Sequence, residues 1–402
     1  MNQKRKRIIG IVAPLLIMLL CFGIICVSTA VIYSPTYLGR VLTHWDSRVT
    51  DYTYFPSRRI QASDTPYIYE RQLDAQFAST PIRYQKGKRT YQLALSDFIK
   101  ETDTLALIIV RNDQIVYEQY ANGSSADSVH TSFSMSKSVV SLLIGKAIEE
   151  GYIQSIHQPI SDYINEYQGQ PIGEVTIEEL LSMRSCITYK KKGLWFGDDS
   201  LTYWHPNLRK LALEHTTLTK QYGGHFHYNN YHPLLLGIIL ERSTKKSVSA
   251  YFEETLWQPM GAQYPASWSL DSEASGFEKM ESGINFRAID FIKIGSMVLH
   301  EGNWHQSQII NSQWLKQSTT LAYPFLDEEY QKTFLENRQI TYQYMWYSYP
   351  THAEEVDILA WGKSDQILYI SPHHQTVILR TGLSDGGITN WEEILQTIAS
   401  MR

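Results

Sequence analysis

The stretch Ser132-Phe133-Ser134-Met135-Ser136-Lys137-Ser138 sets a hydroxyl and an amine three residues apart. On a helix starting at Ser134, Lys137 lies one turn on and on the same face. A serine there also sits at the positive end of the helix dipole, beside backbone N–H groups with no partner inside the helix. Those are the needs of an acyl-transfer nucleophile: an amine within reach of its proton, and donors for a developing oxyanion. The alternative is a helix N-cap beside an unrelated exposed lysine, a place serine fills equally well. Spacing alone does not decide, because Ser243 and Lys246 repeat it where a helical stretch ends.

Two further stretches carry groups that would serve such a serine. Tyr228-Asn229-Asn230 follows Gly223-Gly224-His225-Phe226-His227 and precedes a long apolar helix, a loop placed to reach a cleft. Tyr-x-Asn also occurs at Tyr120/Asn122 and Tyr163/Asn165, and a buried tyrosine in a polar turn would look the same. Lys363-Ser364 stands just before the apolar run Ile367–Ile370, where a lysine equally keeps a sheet edge soluble. A phenol that titrates near 10 needs about 4 kcal/mol to work near neutral pH. One ammonium at about 4 Å supplies roughly that much at an effective dielectric of 20, so Lys137 suffices and Lys363 adds margin.

These groups must be positioned by elements that the pattern predicts. Thr104–Val110 and Gln114–Tyr120 read as a hairpin about Asn112-Asp113. A helix follows from about Ser134 to Glu150, stopped by Gly151. From 152 to 320 the patterns are mainly helical, with a capping box at Thr176-Ile177-Glu178-Glu179 and helical runs at Leu234–Glu241 and Ala288–His300. Ile367–Ile370 and Thr376–Arg380 flank Pro372-His373-His374 as a second hairpin, and a last helix starts near Asn390. The expected fold is α+β: an antiparallel sheet built from both chain ends and flanked by helices, with an inserted, mainly helical lobe over about 152–320.

The 402 residues carry 36 Lys+Arg against 41 Asp+Glu, a net charge of −5. Four of the bases (Lys4, Arg5, Lys6, Arg7) precede an uncharged stretch from Ile8 to Gly39, and the rest of the chain is more acidic still. A body of that sign lacks the basic footprint of a nucleic-acid binder. The apolar run from Ile8 to about Tyr33 is roughly 39 Å long as a helix, enough to span a bilayer. Bases on its N-terminal side alone predict a cytoplasmic tail over 1–7, a transmembrane signal anchor over 8–33 and an extracytoplasmic remainder. A cleaved signal with Ser28-Thr29-Ala30 near its cut site is the rival, though signal apolar cores are shorter, about 7–15 residues. Residues 34–79 lack periodicity and read as a linker, before a domain over 80–400.

Taken in order, the three boxes resemble those of the serine β-lactamase and penicillin-binding-protein superfamily: Ser-x-x-Lys, Tyr-x-Asn and Lys-Thr/Ser-Gly. The Tyr-x-Asn box is similar to the class C β-lactamase, D-peptidase and esterase branch. Phe226-His227-Tyr228-Asn229-Asn230 and Gln366-Ile367-Leu368-Tyr369-Ile370-Ser371-Pro372 resemble the group that includes 6-aminohexanoate-dimer hydrolase. The resemblance covers about residues 80–400 and implies a β-lactamase/transpeptidase-like fold. It implies Ser134 as nucleophile, Lys137 and Tyr228 as the proton-handling pair, and Asn230 orienting substrate or Lys137. Lys363 and Ser364 would complete the electrostatics, and the N–H groups of Ser134 and Gln366 would hold the oxyanion.

Two family glycines are replaced. Asp365 follows Lys363-Ser364, where as a strand residue it would share a side with Lys363 and pair with it. Cys186 stands in Met183-Arg184-Ser185-Cys186-Ile187, either as a reactive thiol or as a small buried hydrophobe. His225/His227 and His373/His374 lack the carboxylate or cysteine that would complete a zinc spacing. The aromatic cluster Trp195, Phe196, Tyr203 and Trp204 beside Asp198-Asp199 either lines a pocket or packs a surface loop. The expected function is a membrane-anchored serine hydrolase that cleaves a small-molecule or peptide amide or ester through an acyl-enzyme, with no cofactor. A catalytically impaired envelope-binding module, and a peptidoglycan D-peptidase or β-lactamase, are the alternatives.

Overall fold

The computed structural model describes residues 3–191, 193–219, 224–320, 340–351 and 356–401. β-Branched and aromatic runs from both ends of the body meet in one eight-stranded sheet. In chain order its strands are β1 (Glu70–Arg71), β2 (Thr104–Arg111), β3 (Gln114–Tyr120), β4 (Thr341–Gln343), β5 (Trp346–Pro350), β6 (Val356–Gly362), β7 (Gln366–Ser371) and β8 (Thr376–Gly382). They lie side by side as β4-β5-β6-β7-β8-β2-β3-β1, and β1 alone runs parallel to its neighbour. The pairing of β8 with β2 joins the two chain ends. Between β2 and β3, Asn112 and Asp113 both take left-handed backbone, the turn for which these residues are suited.

Helices cover both faces, as alternation along β8 requires. Val377 meets Gly295 of a helix over Ala288–Leu299, whereas Arg380 stacks on Trp391 at the start of the C-terminal helix, Trp391–Ser400. Odd and even positions of a strand point to opposite sides, so the two helices sandwich the sheet. Gly295 is required by that approach, since a Cβ there would come within 2.4 Å of Val377 Cγ1. With both faces covered, β7 and β8 are buried at every position, and each has a continuous apolar middle, Ile367–Ile370 and Val377–Leu379.

Between the chain ends lies the helical lobe, opened in part by the capping box at Thr176. The lobe is shorter than the sequence suggests. Ala266–Ser269 and Ile284–Arg287 are strands that join Ser57–Ile60 and Val129–Thr131 in a four-stranded antiparallel sheet. The helix over Ala288–Leu299 packs on the main sheet instead of the lobe.

Four helices bear on the site. We number them α1 (Gln3–Ile32), α2 (Pro35–His44), α3 (Met135–Glu149) and α4 (Asp198–Trp204). α3 is buried on all sides from Met135 to Gly145 and packs on β6 and on the helix over Tyr231–Thr244. In α1, Val12–Ile32 is long and apolar enough to cross a membrane. The segment expected as a linker is structural: α2 packs on α4, with Arg40 Nη1 donating to Trp204 O at 3.0 Å and Tyr37 Oη donating to Ser200 Oγ at 2.9 Å. Its helix is too short for apolar periodicity to declare it.

Candidate active site

Ser134 stands at the N-terminus of α3, just after Phe133, whose φ of 41° is left-handed backbone that a bulky side chain seldom takes. The Ser134 side chain makes no capping bond. Its Oγ instead accepts from Lys137 Nζ at 2.9 Å. That separates the two readings of the sequence: the hydroxyl is presented to the lysine, not spent on the helix. Lys137 is buried, its Nζ also donates to Glu281 O at 3.0 Å, and it lies 4.9 Å from the centre of the Tyr228 ring.

Ser134 and Tyr228 face a common cavity of about 560 Å³, together with Asn230, Gly362 and Lys363. Asn230 does not turn to Lys137. Its Nδ2 donates to Tyr189 Oη at 2.9 Å and lies 3.3 Å from Thr202 Oγ1, and its buried Oδ1 has no partner among the described residues.

The third box departs most from expectation. Lys363–Asp365 is a tight turn between β6 and β7, with Ser364 and Asp365 left-handed at φ 60° and 52°. Arg380 holds this turn: Nη1 donates to Ser364 O at 2.6 Å and Asp365 O at 2.7 Å, and Nη2 to Thr102 O and Ser384 O. Because the strand has ended, Asp365 does not share a side with Lys363; its Oδ1 accepts from Trp361 Nε1 at 2.7 Å. Lys363 reaches a different carboxylate. Its Nζ donates to Asp46 Oδ1 at 2.6 Å and to Ser47 Oγ at 2.8 Å, just beyond α2.

Gln366 pairs with Gly362 in the sheet, and its side chain binds Gly382, so neither Gln366 nor Ser364 lines the cavity. The backbone that approaches the serine is Gly362. A Cβ there would lie 2.5 Å from Ser132 O and 2.9 Å from Ser134 N. The glycine absent at 365 is thus found three residues earlier. Cys186 is half-buried and is not part of the cavity wall, while its neighbour Ser185 bonds His232 Nε2 at 2.7 Å. His227 Nε2 lies 3.2 Å from Tyr189 O, and His373 packs on His374.

Several lining residues were not singled out in the sequence: Trp45, Asp46, Ser47, Tyr189, Glu281, Ser282 and Gly362. Their signal is long-range contact, which spacing does not carry. Of the aromatic cluster, Trp195, Tyr203 and Trp204 do line the cavity, with Asp199. Burial raises the Asp199 carboxyl above the usual range, against the pull of Tyr189 Oη and of Lys191 and Lys137. Behind the wall, Lys279 is buried 3.1 Å from Glu281 Oε1, and burial lowers its ammonium below the usual lysine range despite that carboxylate. The wall offers Asp46, Asp199 and Glu281 against Lys191 and Lys363, so it is not built to attract anions.

Comparisons with known proteins agree with this architecture. Residues 95–291 match the family model described as Beta-lactamase. The 6-aminohexanoate-dimer hydrolase of Paenarthrobacter ureafaciens is 25% identical over 300 residues, covering 71% of this chain and 74% of that protein. A Bacillus anthracis structure assigned as a 6-aminohexanoate-dimer hydrolase superposes with a TM-score of 0.71 at 21% identity, over 88% of this chain and 92% of that one. A class C β-lactamase from Rhodobacter sphaeroides gives 0.54 at 15% identity, over 76% of this chain and 98% of that one. With the sheet, the lobe and the cleft between them, the chain has the β-lactamase/transpeptidase-like fold, and over residues 95–291 it is similar to the β-lactamase family.

Proposed function

We propose that the chain is a serine hydrolase, anchored outside the membrane by α1, that cleaves an amide or ester through an acyl-enzyme at Ser134. One observation carries this: the Ser134 hydroxyl is free of the helix and held by Lys137 Nζ at 2.9 Å, on the wall of a cavity that Tyr228 shares. In the first step Ser134 Oγ attacks the carbonyl carbon as its proton passes to the Lys137/Tyr228 pair. The bond to the leaving amine or alcohol then breaks, and the same pair returns the proton to it. Water repeats the sequence on the acyl-enzyme and frees Ser134. The oxyanion would be held by the Ser134 N–H at the head of α3, beside the end of β6 at Gly362–Lys363 rather than Gln366.

The alternative of a binding module is separated by labelling with a fluorophosphonate. Labelling of the wild type that disappears in Ser134→Ala, with the fold retained by circular dichroism, is the expected result; equal silence in both rejects the hydrolase. The relatives named for 6-aminohexanoate-dimer hydrolysis support a small linear amide as the first substrate to try. Because Lys363 is held by Asp46 and the wall is rich in carboxylates, nitrocefin turnover is expected to be slow. Hydrolysis at the rate of a resistance enzyme would instead favour the β-lactamase reading.

A further inference from the structure

One wall of the cavity reaches α1, and the residues that join them are aromatic. Trp195 and Trp45 line the cavity and meet edge to face at 5.9 Å. Trp195 also meets Phe22 of α1 at 6.0 Å, and the neighbouring Phe196 packs 6.4 Å from Tyr33. Yet two of these rings are poorly covered by protein: Trp45 is 63% exposed and Phe196 43%. The exposed Lys190 and Lys191 lead into this loop.

Depth follows from helix geometry. A hydrocarbon core of about 30 Å takes about 20 helical residues. Counted from Ile8, it would end near residue 27, which leaves Phe22 about 8 Å inside the outer boundary. If the core is instead Val12–Ile32, Phe22 lies about 15 Å inside. On either count a domain ring that touches Phe22 cannot remain in bulk water. Trp and Tyr rings with flanking lysines are the side chains that settle at this level, with the apolar ring inward and the ammonium at the headgroups.

We infer that Trp45, Trp195 and Phe196 form a lip immersed in the outer leaflet, so that the cleft takes an amphiphile carried in the bilayer, its amide or ester presented near the headgroup. This rests on the proposed function in two respects, a retained α1 and hydrolysis at Ser134. No lateral transfer through water is then needed: the apolar part of the substrate stays in lipid while its polar bond reaches the serine.

The test uses the full chain, its mass confirming α1, in phosphatidylcholine nanodiscs. In a Cys21→Ser/Cys26→Ser/Cys186→Ser background, an environment-sensitive fluorophore is placed by Phe196→Cys or by His373→Cys. The second site is at the far end of β7, about 20 Å of strand from the cleft. Lipid-borne nitroxide is expected to quench the label at 196 several-fold more than that at 373, with aqueous iodide reversing the order. Equal behaviour at both sites overturns the lip, whatever the activity.

In parallel, one ester is offered in two forms, water-soluble and attached to a dialkyl lipid in the same discs. The lipid-borne form is expected to show at least tenfold higher kcat/KM, an advantage reduced at least threefold by Phe196→Ser and restored by Phe196→Trp. An immersed label with no preference overturns the substrate class. With an immersed label and neither ester hydrolysed, fluorophosphonate labelling of the same discs decides: labelling that needs Ser134 keeps the hydrolase and overturns the amphiphile substrate, and its absence overturns the hydrolase reading while the lip stands.

Discussion

The distinction between a capping serine and a nucleophile rests on where one hydroxyl points, and the neighbouring backbone is shaped to that end. Phe133 is left-handed, and Gly362 closes on Ser134 N with no room for a side chain. Gly362→Ala would push a methyl against Ser132 O and Ser134 N, neither of which yields like a flexible side chain. Overpacking of this kind costs about 1–3 kcal/mol, and a displaced reacting group can lose on the order of 100-fold in rate. Steady-state kinetics on any ester turned over should show kcat falling by that order, with thermal unfolding only a few degrees lower. Asp365→Gly, by contrast, should change kcat/KM less than about tenfold, within the ~0.5–1.5 kcal/mol of one hydrogen bond. The reason is that Asp365 reaches the cavity only through Trp361, whose Nε1 it binds. At this scale Ser134 and Lys137 were legible because one helical turn fixes both. Asp365 was misplaced because a strand was assumed where two left-handed residues make a turn, which sends its carboxylate to Trp361 and leaves Lys363 on the cavity wall.

Elements that position the cleft divide the same way. The hairpin at Asn112-Asp113, the helix of Ser134 and the capping box at Thr176 are local, and their turn and cap chemistry predicts them. The strap just beyond α2 was invisible, because Trp45, Asp46 and Ser47 join the cavity wall through contacts with residues some 150 to 300 positions away. Lys363 fastens this strap. Burial would raise the Asp46 carboxyl, but the Lys363 ammonium and Ser47 outweigh it, and the group sits below its ordinary value. The stabilisation is therefore present above the unfolded value near 3.9 and is lost only as pH falls through the lower folded one. At neutral pH the strap should be fastened. Asp46→Asn should quicken hydrogen exchange over residues 45–48 without moving the melting temperature, since exposed pairs are worth only about 0.2–1 kcal/mol. With the Lys363 charge no longer paired, KM for an anionic ester should fall by roughly 1.5- to 5-fold, the same energy seen from the substrate side. Unchanged exchange would mean the strap is held by the Lys363 bonds to Ser47 and by Trp45 against Trp195.

Across the molecule, the sheet made from both chain ends was readable because β-rich runs stood at each end and helical patterns between, whereas the four-stranded sheet was not, being assembled from four short, separated pieces. A buried histidine sits where that smaller sheet meets the larger: His130, in the strand Val129–Thr131, has Nδ1 3.1 Å from Thr381 Oγ1 of β8, and its Nε2 has no partner among the described residues. A second, His232, bonds Ser185 inside the lobe. Burial lowers His130 to about 4 and His232 to about 3, from 6.5. Both are therefore neutral in the folded protein while the unfolded chain binds protons below about 6.5. The sign is fixed by that order: stability is whole above about 6.5 and declines as pH falls toward 4, by at most about 1.4 kcal/mol per pH unit for each histidine. Asp199, Glu241 and Asp271 act in the opposite sense, because burial raises their carboxyls and the folded state then binds their protons first. They blunt the decline at its acid end, where carboxyls begin to titrate. Between pH 7 and 5 the histidines should dominate, each contributing about 2 kcal/mol of loss. Urea unfolding of the detergent-solubilised chain at those two pH values should record the drop, and His130→Gln or His232→Gln should each remove about 2 kcal/mol of it. The glutamine variants lose stability at pH 7 through packing, but only the wild-type rings can supply the pH dependence, so an undiminished slope in both would assign the acid sensitivity to other groups.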